Sequence, residues 1–210
     1  MYLKRSNSTT RIPIQRKGTK YVVLPSSHKS NSVPVLMAIR DMLKLAKTLK
    51  EVKTMINSKL LKINGKPVKS HKESIKLFNI FEADQPYILK ILPTKRFTFE
   101  PTKSTNSRLC KIINKKLLKN NTVQINLHDG SNIISSSKDK ISVNDSLNLS
   151  FDNKILSHLP LEVGKNVFII SGKYTGQEGK VSEIKDSNVS IKFKDKEDLV
   201  SLSKEHLVAI

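Results

Sequence analysis

From residue 87 to the C terminus, the apolar residues of this chain alternate with polar ones or form short runs. Thr122–Leu127 alternates cleanly and then reaches Asp129-Gly130, a pair typical of a tight hairpin turn. Because successive side chains of a strand point to opposite faces, a period of two predicts strands and not helices. The candidate strands up to residue 150 are Tyr87–Leu92, Arg96–Glu100, Leu109–Ile113, Thr122–Leu127, Asn132–Ile134 and Leu147–Leu149.

The last fifty residues show the densest strand pattern. Apolar runs at Val167–Ile170, Val181–Ile184, Val189–Phe193 and Glu205–Ile210 are separated by turn residues, and we read five short strands here. So many strands in so short a stretch predict a small β-barrel with SH3-like topology.

A glycine-punctuated loop interrupts this strand pattern. We expect Gly172, Gly176 and Gly179 to serve backbone geometry, through positive φ values or close approaches that a Cβ would obstruct. Lys173 and Tyr174 at the loop tip are candidate contacts with RNA or with a neighbouring protein.

Helical spacing is confined to the first third of the chain. Apolar residues between Val35 and Ala46 recur at i, i+1, i+4, i+7, i+8 and i+11, which predicts a helix over residues 33–46 with Pro34 in its first turn. Thr48-Leu49-Lys50-Glu51 is a capping box, so a second helix begins at Thr48 and ends near Asn57-Ser58-Lys59. Leu61–Val68 predicts a hairpin around Asn64-Gly65, and Leu77–Phe81 predicts a further strand.

The charge of the chain is large and unevenly placed. The 210 residues carry a formal net charge of +20, and residues 1–80 hold 18 basic and 3 acidic side chains. Residues 161–210 hold 8 of each sign. A balance this basic predicts a polyanionic partner that meets the N-terminal third first.

Several classes of protein are disfavoured. No apolar run is long enough to cross a bilayer, and the N terminus has neither the apolar segment of a signal peptide nor the apolar stripe of a membrane-surface helix. The single cysteine, Cys110, cannot form an internal disulfide, which fits a reducing cytosol. We therefore expect no membrane partner.

Residues 1–32 have two interpretations. A basic, polar terminus is often a disordered tail, but it can also be an arm that becomes ordered on nucleic acid. The strand-like run Tyr21–Leu24 favours partial order. Candidate RNA contacts in this arm are Lys4, Arg5, Arg11, Arg16, Lys17, Lys20 and Tyr21.

The predicted helix pair presents a basic face. Two acids, Asp41 and Glu51, lie between Arg40 and Glu73, whereas an ordinary solvated face mixes both signs. No aromatic stacking platform is visible here, which predicts recognition of shape and phosphates more than bases. The candidate contacts are Arg40, Lys44, Lys47, Lys50 and Lys53, with Lys66 and Lys69 of the following hairpin region.

Signals for catalysis are weak. The five histidines are scattered, and none has metal-ligand spacing to the cysteine. His128-Asp129 could serve acid–base chemistry, but a role for Asp129 in turn geometry explains the pair better, and His128 is retained as a candidate RNA contact. Gly172–Lys180 lacks the spacing of a phosphate-binding loop. We expect no enzyme activity, metal, cofactor or small-molecule substrate.

The ordered set of short segments is more specific than any single one. These segments are Tyr2–Arg5, Pro13–Val23, Ile39–Thr48, Ile63–Val68, Leu109–Ile112, Gln124–Asn132, His158–Glu162 and Ser171–Gly179. In this order they resemble the archaeal and eukaryotic small-subunit ribosomal protein four-e family. The resemblance implies a structural protein of the cytoplasmic ribosome, with small-subunit ribosomal RNA and neighbouring ribosomal proteins as partners.

The resemblance also implies an α+β chain of several modules. These would be a basic N-terminal arm (1–32), a small α/β RNA-binding helix-pair module (33–82), a central β-rich domain (83–160) and a C-terminal KOW-type SH3-like β-barrel (161–210). Lys59 stands where relatives usually have glycine, so either Lys59 takes a left-handed turn at some cost or the helix ends differently. Ser131 stands where relatives have arginine. The chain ends at Ile210 without the basic tail of eukaryotic members, as expected of an archaeal-type form.

Two alternatives remain open from the residues. One is a non-ribosomal RNA-binding module of a translation-associated or RNA-modification factor, which would share the helix pair but add a catalytic domain. The other is a transcription-elongation factor with the same barrel, which would not explain the strongly basic N-terminal third.

Overall fold

Strands dominate the computed structural model, which describes residues 2–15, 17–103, 106–118, 122–136, 141–193 and 199–210. The chain divides into two compact units, residues 1–106 and 107–210. Short helices occur in the first unit among many strands, so the α+β expectation is confirmed in its coarse form, mostly β with few helices. Within the described residues, no helix is both long enough and apolar enough to cross a membrane.

The N-terminal unit contains three small sheets. The strands and α-helices of this unit, in chain order, are β1 (Tyr2–Lys4), β2 (Tyr21–Val23), β3 (Ser32–Pro34), α1 (Val35–Met37) continued by a π-helical turn (Ala38–Met42), α2 (Leu49–Asn57), β4 (Lys62–Ile63), β5 (Lys66–Pro67), β6 (Ser74–Lys76), β7 (Ile80–Glu82), β8 (Pro86–Ile91) and β9 (Phe97–Pro101). Strand β1 pairs with β2, β3 pairs with β6, and a five-stranded sheet has the order β5-β4-β7-β8-β9. The boundary predicted between residues 82 and 83 falls inside the five-stranded sheet.

The first helix is shorter than predicted. Pro34 is the last residue of β3 and pairs with Ser74, so the chain enters α1 from a strand. Val35–Ile39 are buried on every side, which is a core turn and not the amphipathic stripe that the sequence predicts. The helical stretch ends at Met42, and Lys44 turns the chain with a φ of +58°. The prediction of helix over 43–46 is therefore wrong.

The second helix follows the sequence prediction. Thr48 caps α2, its Oγ1 accepting the backbone N–H of Glu51 at 3.2 Å, and the Glu51 carboxylate accepts the N–H of Lys47 at 2.8 Å. The bond from Lys47, and then a bond that the Thr48 hydroxyl donates to the same carboxylate at 2.8 Å, lower the pKa of Glu51. At the other end, Lys59 adopts a φ of +55°, so the left-handed turn is the one of the two expected outcomes that occurs.

The hairpin around Asn64-Gly65 is also confirmed, with φ values of +50° and +75°. By contrast, Leu77–Phe81 is not one strand. Phe78 has a φ of +60° and turns the chain between β6 and β7.

The C-terminal unit contains two five-stranded antiparallel sheets. The strands are β10 (Ser107–Leu117), β11 (Thr122–Leu127), β12 (Asn132–Ser136), β13 (Ser146–Ser150), β14 (Ile155–Leu159), β15 (Asn166–Ile169), β16 (Glu178–Lys185), β17 (Asn188–Phe193), β18 (Leu199–Ser203) and β19 (Leu207–Ala209). The first sheet has the order β12-β11-β10-β13-β14 and the second the order β18-β17-β16-β15-β19. Strands β14 and β18 are absent from the sequence prediction, and a 3-10 turn (Lys204–His206) replaces the start of the last predicted strand.

Each of these sheets has its own apolar cluster. Cys110, Ile112 and Leu147 are fully buried in the first, and Val167, Val189 and Ile191 in the second. The glycine prediction is confirmed here, because Gly172 and Gly176 have positive φ values. A Cβ on Gly179 would lie 2.4 Å from Ile191 Cγ2, which is a close approach that only glycine allows.

Candidate nucleic-acid interface

The loop between β1 and β2, here called the arm loop, folds against the end of the first helix. A cleft of about 650 Å³ lies between the loop and the helix. We call it the basic cleft, and it lies wholly within the N-terminal unit, between residues 13–15 and 17–19 on one side and residues 37–47 on the other. The structure thus brings together side chains that are far apart in sequence. Five predicted contact residues line it, namely Arg5, Lys17, Arg40, Lys44 and Lys47.

Arg5 uses its guanidinium inside the arm. Its Nε donates to the carbonyl oxygen of Thr19 at 2.8 Å, one Nη donates to the carbonyl of Gln15 at 2.6 Å, and the other donates to Thr19 Oγ1 at 3.0 Å. A Cβ on Gly18 would lie 2.9 Å from this guanidinium. Arg5 therefore closes the loop over residues 15–19, and residues 2–15 and 17–32 are not an open tail.

Arg40 is paired within its own helical turn. Its Nε and Nη2 donate to the two carboxylate oxygens of Asp41, at 3.0 and 2.9 Å. The hydrogen bond and charge of Asp41 raise the pKa of Arg40 against the opposing effect of burial. Arg40 thus neutralises Asp41, and the pair adds no net positive charge to the basic cleft.

Three lysines supply the available charge of the cleft. Lys17, Lys44 and Lys47 are exposed, and the structure gives none of the three an ion pair among the described residues. The chain makes a left-handed turn at Lys44 and still lines the cleft at Lys47. Three ammonium groups around an open space form a surface that attracts phosphate, because unpaired lysines are mobile point charges with full hydrogen-bonding capacity.

The basic surface continues beyond the cleft. Lys50 and Lys53 are exposed on α2, as predicted, and Lys66 and Lys69 are exposed on and after β5. Burial first, and then the charges of Lys72 and Lys53, lower the pKa of His71.

The remaining arm residues lie on or near the β1–β2 ribbon. Lys4 and Lys20 are exposed, and Lys20 Nζ lies 5.6 Å from the centre of the Tyr21 ring. Arg11 donates to Asn31 Oδ1 at 2.5 Å and so braces the arm. The predicted contact at Arg16 lies outside the described residues.

Sequence reasoning missed Tyr2. The register pairs Tyr2 with Val23 and Lys4 with Tyr21, so both tyrosines stand on one face of the ribbon. Tyr2 is 53% exposed and Tyr21 is 52% exposed. The expectation that no aromatic platform exists concerned the helix pair and did not consider this ribbon. The available signal was the placement of both tyrosines in short strand-like runs.

His128 and Asp129 have structural partners. His128 Nδ1 accepts the backbone N–H of Lys111 at 3.1 Å, and the Asp129 carboxylate lies 3.2 Å from Arg108 in a buried ion pair. Burial would raise the pKa of Asp129, but hydrogen bonds from Ser131 and the charge of Arg108 lower it below its ordinary value. The role of Asp129 thus goes beyond the turn geometry that the sequence suggests.

Ser131 bonds to both members of the buried ion pair between Arg108 and Asp129. Its hydroxyl accepts from Arg108 Nη2 at 3.2 Å and donates to Asp129 at 2.6 Å. Asn153 accepts a further bond from the same Nη2 at 2.6 Å. Ser131 therefore joins a buried network, and any RNA contact by this chain at that turn falls to other residues.

The glycine-punctuated loop has a half-buried tip. The Tyr174 ring packs on Phe193 with a centroid distance of 5.2 Å and contacts the apolar cluster of the second sheet, while exposed Lys173 lies over the ring at 5.6 Å. Tyr174 is thus partly a core residue. RNA or protein contact at this loop remains a prediction, carried more by Lys173 than by Tyr174.

No metal-binding group emerges from the part of the chain that the structure describes, since no three His, Cys, Asp or Glu side chains cluster suitably there. Burial raises the pKa of the Cys110 thiol. A thiol in that state is a poor nucleophile and a poor metal ligand, because both roles need the thiolate.

Two family descriptions match the chain. The first is ribosomal family S4e, over residues 83–155. The second is the KOW motif, over residues 163–194. Together they match most of the chain from residue 83 onward, and the cleft lies in the segment before them.

Full-length comparisons extend the similarity to the N-terminal unit. The small ribosomal subunit protein eS4 of Methanocaldococcus jannaschii is 33% identical, over 87% of this chain and 81% of the relative. The protein of the same name from Methanothermobacter thermautotrophicus is 32% identical, over 87% and 78%. The crystal structure of the 30S ribosomal protein S4e from Thermoplasma acidophilum has a TM-score of 0.74 and 26% identity, and covers 87% of this chain and 96% of that one.

Proposed function

Since the chain belongs to the eS4 family of small ribosomal subunit proteins, we propose that its basic cleft binds ribosomal RNA and stabilises the folded shape of that RNA. The protein is then a structural component of the small subunit in the cytoplasmic ribosome. The single observation that carries the RNA site is the convergence of Lys17, Lys44 and Lys47 around one open cleft.

The chemistry of the cleft suits phosphates more than base edges. Lysine binds phosphate as a point charge, whereas sequence reading usually depends on side chains that form paired hydrogen bonds with a base. The two arginines that could form such pairs, Arg5 and Arg40, already bond within the protein. The cleft therefore holds a backbone bend of the RNA by neutralising closely spaced phosphates.

The internal bonds of the arginines also prepare the site. Arg5 holds the arm loop and Arg40 holds the helical turn, so each wall of the cleft is ordered before RNA arrives. Less conformational entropy is then lost on binding, because the backbone that carries the lysines is already ordered.

We extend the proposal to the layout of the chain. The arm (1–32) and the helix-pair region (33–82) form the RNA-facing part. The central β-rich region covers 83–160, and its first two strands, β8 and β9, complete the sheet of the helix-pair region. A KOW-type barrel of SH3-like topology covers 161–210. The KOW match over 163–194 and the five-stranded sheet there support the last assignment. Its zero net charge favours a neighbouring ribosomal protein as the partner of this region, with Lys173 as the first residue to test.

Catalysis has no part in this proposal. The groups that could have served it are committed elsewhere, since Asp129 is held by Arg108 and Ser131 and the thiol of Cys110 is buried. A non-ribosomal RNA factor or a transcription factor is less compatible with similarity that extends over 81% of an eS4 relative.

Sedimentation tests the proposal. The full chain should travel with small ribosomal subunits in a sucrose gradient of cell extract. A variant with Lys17→Glu, Lys44→Glu and Lys47→Glu should remain at the top of the gradient, because reversed charges repel phosphate. A matched variant with Lys154→Glu, Lys165→Glu and Lys185→Glu, at exposed positions of the C-terminal unit, should still sediment with subunits. Equal sedimentation of all three proteins would remove the basic cleft from the interface.

A further inference from the structure

The outer face of the β1–β2 ribbon carries two exposed aromatic rings. Tyr2 and Tyr21 are diagonal neighbours across the strand pair, which places their β-carbons about 7–8 Å apart. More than half of each residue is solvent-exposed. Two large aromatic rings on one small ribbon are unusual for a surface that contacts only water, because burying the rings would be favourable.

Each ring has a lysine beside it. Lys72 Nζ lies 5.0 Å from the centre of the Tyr2 ring, and Lys20 Nζ lies 5.6 Å from the centre of the Tyr21 ring. Lys4 is exposed on the same face, directly opposite Tyr21 and two residues after Tyr2. In the sequence, the acidic residue nearest to Lys72 is Glu73. The carboxylate of Glu73 accepts the backbone N–H of Lys69.

The ribbon holds these rings in place. Arg5 N–H donates to the carbonyl of Lys20 at 3.0 Å, and Thr19 Oγ1 donates to the carbonyl of Tyr21 at 3.0 Å. On the opposite face, Val22 is 5% exposed and lines the basic cleft. The ribbon is therefore a wall with the phosphate-binding cleft on one side and the two tyrosines on the other.

We propose that Tyr2 and Tyr21 form a stacking site for unpaired nucleotides of RNA, with Lys4, Lys20 and Lys72 binding the flanking phosphates. The proposal rests on RNA as the ligand of the N-terminal unit and assigns a second kind of contact to it. Proteins recognise unpaired RNA by stacking bases on aromatic side chains within a positively charged surface. The face combines both features, and a mainly apolar or cationic partner would not match its lysines.

The test uses the full chain and two synthetic RNAs of about ten nucleotides, a length usual for single-strand sites. One is oligoadenylate, and the other has the same sugar–phosphate backbone without bases. The double variant Tyr2→Val, Tyr21→Val keeps β-forming residues in both strands. We expect it to lose affinity for oligoadenylate by about tenfold for each ring, while its affinity for the abasic strand stays that of the wild type. Tyr2→Phe, Tyr21→Phe keeps both rings and should bind both strands as the wild type does.

The outcomes separate the two proposals. Unchanged oligoadenylate binding by the valine variant, or an equal loss on both strands, would overturn the stacking site and leave the phosphate cleft intact. Failure of the wild type to bind either strand or folded ribosomal RNA would instead defeat the proposed function.

A second measurement needs no variant. Nitration of the wild-type tyrosines by tetranitromethane, mapped by mass spectrometry, should be suppressed at Tyr2 and Tyr21 by oligoadenylate but not by the abasic strand. Tyr87, which is 8% exposed, serves as the internal reference. Equal protection by both strands would show that the rings do not stack on bases, and protection only by a neighbouring protein would reassign the face to protein contact.

Discussion

Neutralising the three cleft lysines should change how RNA binding depends on salt. The variant is Lys17→Gln, Lys44→Gln, Lys47→Gln, and each residue is exposed on the wall of the basic cleft. Every phosphate contact adds about 0.7–0.9 to the slope of log affinity against log salt, because bound counterions are released. Arg5 and Arg40 contribute little to this slope, since their guanidinium groups bond to partners inside the protein.

The expected loss is therefore about 2–3 units of slope. Between about 50 and 200 mM salt, the wild type should lose roughly 20–40-fold more affinity than the variant. Fluorescence anisotropy with small-subunit ribosomal RNA, titrated at several salt concentrations, measures both slopes. The control is Lys154→Gln, Lys165→Gln, Lys185→Gln, which should keep the wild-type slope. A cleft variant whose slope equals that of the wild type would refute the assignment of these lysines to phosphates.

The fold supports further predictions. Gly179→Ala should destabilise the C-terminal unit by about 1–3 kcal/mol in denaturant unfolding, because the added Cβ overlaps Ile191; unchanged stability would show that the strands move apart freely. Lys59→Gly should stabilise the protein by about 1 kcal/mol in the same assay, since a left-handed φ of +55° strains lysine and not glycine. Burial lowers the pKa of Lys111 from 10.5 to about 8, so the unfolded chain binds its proton more tightly and wild-type stability should rise between pH 8 and 10.5. In Lys111→Met that rise should shrink, and an equal rise in both proteins would assign it to other groups.

Local signals in the sequence were reliable where neighbouring residues determine the structure. The cap at Thr48 and the turn at Asn64-Gly65 depend on residues within one turn of the chain, and both formed as predicted. Lys59 likewise took the left-handed position that follows the helix.

Long-range pairing explains the errors. Pro34 looked like the first turn of a helix, but it pairs with Ser74, forty positions later in the sequence, and so belongs to a strand. Phe78 looked like the middle of a strand, but the chain turns there so that β7 can pair with β4 and β8. No local period carries this information, because it depends on which partner strand is available.

The candidate site was only partly visible for the same reason. Net charge identified the basic N-terminal third, but it could not separate Arg5 and Arg40, which bond internally, from Lys17, Lys44 and Lys47. That division depends on how the arm folds. Tyr2 escaped notice because its place beside Tyr21 follows from the register of a strand pair that closes over the whole arm.

Ultraviolet crosslinking within purified small subunits tests the central claim most directly, because it reports which segments of the native protein touch ribosomal RNA. The structure predicts crosslinked peptides that contain residues 13–19 and 37–47, the two walls of the basic cleft. Crosslinks confined to residues 107–210, with none in the N-terminal unit, would contradict the account.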